Sequence, residues 1–122
     1  MGSVKARIEI LADRPEAQLR DMEGWLADNS SLHGSRILLV EQPIAPGQLG
    51  GLPEAIEALL QAEVLAAFIG AVGGWLVART TRRTKIRVRV DDRQVEIEAG
   101  PLDDPVEVAR QMLDELTADR DL

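Results

Sequence analysis

The residues from Val64 to Ala78, in the stretch "AEVLAAFIGAVGGWLVA" (62–78), carry no charge. On a helix rising 1.5 Å per residue they reach roughly 22 Å, short of a hydrocarbon core of roughly 30 Å. Extending the run back to Ala55 takes in Glu57 and Glu63, each costing about 2–3 kcal/mol at mid-bilayer. The segment is too short to span, so protein has to surround it. Leu65, Phe68, Ile69, Val72, Trp75 and Leu76 can face a sheet. Ala62, Ala66, Gly70, Gly74 and Ala78 recur at every fourth position and form a smooth stripe that a second backbone can approach closely.

The flanking elements follow from periodicity. "VKARIEIL" (4–11) alternates as a half-buried strand, and "DRPEAQLRDMEGWLADN" (13–29) reads as an amphipathic helix with Asp13 and Glu16 at capping-box spacing. "SRILLVEQ" (35–42) has four apolar residues in succession, the mark of an interior strand parallel to the first across a βαβ crossover. "PIAPGQLGGLP" (43–53) is a long loop. From Pro53 to Arg83 the pattern is helical, and a break near Gln61–Glu63 divides it into helices of 53–61 and 63–81.

"TKIRVRVDDRQVEIEA" (84–99) is a hairpin. With Asp92 and Arg93 in the turn, Arg89 opposes Glu96, Arg87 opposes Glu98, Val90 meets Val95 and Val88 meets Ile97. "DDPVEVARQMLDELTAD" (103–119) is a last helix capped by Asp104, with Val106, Ala109, Met112, Leu113 and Leu116 inward. The expected fold is a single α/β (α+β) domain over 1–122. It is a two-layer sandwich of a four-stranded mixed sheet with helices on one face, in the order β-α-β-α-α-β-β-α.

Composition narrows the function. A net charge of −7 and only three aromatic residues (Trp25, Phe68, Trp75) argue against nucleic-acid binding. The absence of cysteine removes thiolate metal sites and agrees with a cytoplasmic setting. His33 has neither a second histidine nor a cysteine to join, and Ser30, Ser31, Ser35 and Asp28 are its loop neighbours without a nucleophile elbow. "GQLGG" (47–51) lacks the Lys-Ser/Thr of a phosphate loop. The pairs Asp91–Asp92 and Asp103–Asp104 read as turn and cap residues rather than metal ligands. The basic run from Arg79 to Arg89 is divided between a helix C-terminus and the hairpin glutamates. No catalytic residue, cofactor or metal is expected.

Taken together, "LRDMEGWL" (19–26), "LHGSRILLVEQPIAPGQLGGL" (32–52), "WLVARTTRRT" (75–84), "IRVRVDDRQVEIEA" (86–99) and "DDPVEVARQML" (103–113) resemble the effector-associated constant component family of actinobacterial conflict systems. The resemblance implies a non-catalytic bacterial defence or cell-death component. It would accompany NTP-dependent switch proteins and effectors such as caspase-like or trypsin-like peptidases. The residues expected to meet such a protein partner, or another copy of the chain, are Ala62, Ala66, Gly70, Gly74, Ala78 and Trp75, with Pro46, Gly47, Gly50 and Gly51 of the adjoining loop. A second reading has the 62–78 helix insert into a membrane on activation, with Arg79, Arg82 and Arg83 at the headgroups.

Overall fold

The structure, a computed structural model, describes residues 2–42, 47 and 52–117. Its elements are β1 (Ser3–Ile10), α1 (Glu16–Ala27), β2 (Arg36–Glu41), β3 (Pro53–Gln61), α2 (Leu65–Ala78), β4 (Thr84–Val90), β5 (Arg93–Ala99) and α3 (Pro105–Thr117). Single 3-10 turns lie at Ser30–Leu32 and Ala62–Val64. The strands form one sheet of five in the order β2-β3-β1-β4-β5. Every neighbouring pair is antiparallel.

Two expectations are overturned by β3. Residues 53–61 form a strand instead of a helix, so the sheet has five strands, not four, and is antiparallel, not mixed. Ala, Glu and Leu favour helices in isolation, but Ile56, Ala58 and Leu60 alternate with Glu57, Leu59 and Gln61, and only the first set is buried. Pairing on both sides, with β1 and with β2, overrides local propensity. Because β3 runs opposite to both neighbours, β1 and β2 point the same way, as the crossover predicted, but with β3 inserted between them. β2 therefore lies at the sheet edge and not in its interior.

The hairpin turn lies one residue earlier than expected, so each residue's cross-strand partner shifts by two. Val90 pairs with Arg93, Arg87 with Glu96 and Val88 with Val95, leaving Asp91 and Asp92 as the turn. Asp91 adopts φ 55°, a left-handed conformation that aspartate tolerates better than arginine. A shift of two keeps every side chain on its expected face.

Val4, Ala6, Ile8 and Ile10 point with Ile56, Ala58, Leu60, Ile86, Val88, Val95 and Ile97 into one cluster that also holds Leu19, Met22 and Leu26 of α1. Phe68, Ile69, Val72, Trp75 and Leu76 of α2 and Val108, Ala109, Met112 and Leu116 of α3 complete it. Each fully buried side chain of this size contributes about 1.5–3 kcal/mol. The helix ends differ from expectation in one case. Asp104 caps α3 by accepting from the Val106 amide at 3.0 Å, whereas α1 begins after Pro15 with no side-chain cap, so Asp13 does not serve there.

Candidate docking surfaces

On α2, which is 14 residues long, the residues expected to face the sheet are buried, apart from half-buried Leu65. Ala66, Gly70 and Ala78, and Ala62 in the preceding 3-10 turn, are exposed. A Cβ built on Gly70 meets nothing within 4 Å. Gly74 is half-buried, its Cβ position 3.5 Å from the Trp25 ring, so the stripe is interrupted there.

The close backbone approach that small residues permit does occur, but at Gly73, on another side of α2, and within the chain. A Cβ there would stand 3.0 Å from the Pro105 carbonyl oxygen and 3.3 Å from the Ala109 nitrogen. Gly73 is what lets α3 lie against α2. Beside this contact, Gly70, Pro105, Val106, Ala109, Arg110 and Leu113 line a largely apolar groove of about 340 Å³. Val106 was expected in the core, yet it is 74% exposed on the rim of this groove, and Val108 takes the buried position.

Trp75 is not available to a partner. It is 1% exposed, and its indole Nε1 donates to Asp21 Oδ2 at 2.8 Å. Arg79 donates to the same carboxylate through Nε at 3.1 Å and Nη2 at 2.6 Å. The Arg79 hydrogen bond, with help from Trp75, holds the Asp21 carboxyl below its ordinary range despite partial burial. Trp25 is tied in the same way, its Nε1 donating to the Ala71 carbonyl at 2.9 Å. Both indoles thus fasten α1 to α2. Of the loop residues expected to dock, Gly47 is exposed at φ 88°, which only glycine adopts readily. Pro46, Gly50 and Gly51 lie outside the described residues.

The sheet face opposite the core is charged and internally paired. Arg7 reaches Glu57 at 3.0 Å, Glu54 at 3.1 Å and Glu9 at 3.3 Å. Residues three apart on a regular strand point to opposite faces, so Glu54 and Glu57 share one arginine only because the β2–β3 register shifts beside Val40 and Glu41. Arg87 bridges Glu9 at 2.9 Å and Glu96 at 2.9 Å, and Lys85 also meets Glu96. Burial opposes the charge on Arg7, but the hydrogen bonds it donates to Glu54, Glu57 and Glu9 keep it protonated more firmly than usual. The basic run is largely absorbed by such pairs, including Arg83 with Asp103 at 3.1 Å. Asp103 also accepts from the Gly100 amide. His33 is exposed after its 3-10 turn. Among the described residues no group of three or more His, Cys, Asp or Glu is arranged to hold a metal ion, and no helix is long and apolar enough to cross a membrane.

The chain is thus a small α+β fold whose charged sheet face is largely paired internally and which carries an apolar groove between α2 and α3. Comparison with known families assigns it: the Effector Associated Constant Component 1 family matches residues 11–117, and the chain belongs to that family. By that description its members are components associated with effectors. No curated protein and no solved structure matches the chain.

Proposed function

We propose that this chain is a non-catalytic adaptor of a bacterial conflict system, a two-layer domain that binds a peptidase-type effector or an NTP-dependent switch protein through the exposed side of α2. The observation that carries the reading is the apolar groove lined by Gly70 and by Val106, which is 74% exposed. Apolar surface of this kind, next to exposed Ala62, Ala66 and Ala78, is favourable to cover, and the family's description as effector-associated supports a protein partner of that kind.

Membership also favours an adaptor over an enzyme, since the family is described by its association with effectors. Insertion into a membrane has no comparable support. Phe68, Ile69, Val72, Trp75 and Leu76 are already buried in the core, and freeing them would forfeit about 1.5–3 kcal/mol apiece.

Gly70→Leu tests the proposal. The added side chain enters open space, and replacing glycine in a helix gains up to about 1 kcal/mol of propensity. The variant should melt no lower than the parent while binding its native effector or switch partner at least about tenfold more weakly, a loss of roughly 1.4 kcal/mol. Unchanged affinity, measured by calorimetry on the purified pair, would reject the groove as the docking surface.

A further inference from the structure

The two edges of the sheet are finished differently. β5 is guarded in the usual ways. Charged Glu96 and Glu98 alternate along it, the Glu98 carbonyl already accepts from Arg83 at 3.1 Å, and Arg93 donates to the Leu116 carbonyl of α3 at 3.0 Å. β2 carries charge only at its two ends, Arg36 and Glu41, and its ladder shifts register only beside Val40 and Glu41. Among the described residues no strand pairs with its outer side, so alternate backbone N–H and C=O groups point outward without a ladder partner. Between its terminal Arg36 and Glu41 stand Ile37, Leu38, Leu39 and Val40, apolar on both faces.

Ile37, Leu39 and Val40 are only half-buried, and Leu38 is 51% exposed. Leu38 pairs with Glu57 while Arg36 pairs with Leu59, itself 46% exposed. Leu38 and Leu59 are thus diagonal neighbours, an apolar island at the margin of an otherwise charged face. An apolar, unguarded strand at a sheet edge is a template for another strand.

We infer that the occupant is β2 of a second copy, added antiparallel to give a continuous ten-stranded sheet across a twofold axis. The sequence of the strand selects this occupant. A twofold axis normal to the sheet keeps each face on its own side, so only registers centred on a residue are allowed. Centring on Leu38 sets Leu38 against Leu38 of the second copy, Ile37 against its Leu39, and the stem of Arg36 against its Val40. Every half-exposed apolar side chain of β2 then meets apolar surface. Centring on Leu39 instead sets Ile37 against Glu41. The strand is self-complementary in one register, and that register covers the Leu38–Leu59 island.

The test is sedimentation of the full chain over a concentration series, with L38K, L38E and their equimolar mixture. The parent should dimerise with rising concentration. L38K and L38E, which place like charges directly opposite each other, should dimerise at least about tenfold more weakly. The mixture should recover association, because lysine then faces glutamate. G70L should leave the dimer intact, since the α2–α3 groove takes no part in it. A parent that stays monomeric throughout, a dimer indifferent to L38K, or a mixture that fails to recover would each overturn the inference. The parent series decides the matter even if one charged variant folds poorly.

Discussion

Three donors from Trp75 and Arg79 converge on the Asp21 carboxylate and tie α1 to α2. Asp21→Ala leaves the Trp75 indole N–H without its partner, and a loss of about 1–3 kcal/mol in chemical denaturation is expected. The pH dependence has a definite sign. The folded Asp21 carboxyl lies below its ordinary value, so its stabilisation is fully present above the unfolded value of about 3.9 and is lost as pH falls through the depressed folded value. Asp21→Asn should flatten the stability curve across that acid window and leave its shape near neutrality unchanged. The three glycines of α2 separate cleanly by environment. Gly73→Ala forces the Pro105 carbonyl 3.0 Å away to move and should lower stability by about 1–3 kcal/mol through overpacking. Gly70 accepts a side chain freely, and Gly74 sits against Trp25, so Gly74→Leu is expected to disturb α1 packing and is a poor probe of binding.

At the scale of elements, the hairpin turn carries a removable cost. Asp91 occupies φ 55°, and Asp91→Gly should raise stability by up to roughly 1 kcal/mol, read as a higher midpoint of unfolding. What was legible in the sequence was what local pattern determines. β1, α1, both hairpin strands, α3 and the buried side of α2 follow from alternation or helical spacing, and Asp104 followed from its place before Pro105. β3 was obscured because "PEAIEALLQ" has helix-favouring residues with only a short alternation inside them. Its identity depends on two neighbouring strands brought from elsewhere in the chain. The turn register was missed because Asp91–Asp92 and Asp92–Arg93 both give sensible pairs, and backbone conformation decides between them.

For the molecule as a whole, the stripe of small residues was legible in "AEVLAAFIGAVGGWLVA", but its division of labour was not. Which small residue receives a neighbouring backbone depends on where α3 docks, and α3 docks on Gly73. Val106 on the groove rim was missed for the same reason, since its helical spacing suits the core and only the crossing of α2 and α3 leaves it outside. The ion pairs across the open sheet face, with arginines 25–34% exposed, are individually worth little. They neutralise that face rather than offer it to a partner. Among the described residues, the α2–α3 groove and the β2 edge are two apolar surfaces at separate parts of the fold.

On the proposed reading the α2–α3 groove receives the effector or switch partner. Amide chemical-shift mapping of the labelled chain, titrated with its native partner, tests it most directly. Perturbations should concentrate on Ala66, Gly70, Val106, Ala109 and Leu113. A footprint confined to the charged face around Arg7, Glu57 and Arg87, with those groove residues unmoved, would contradict it.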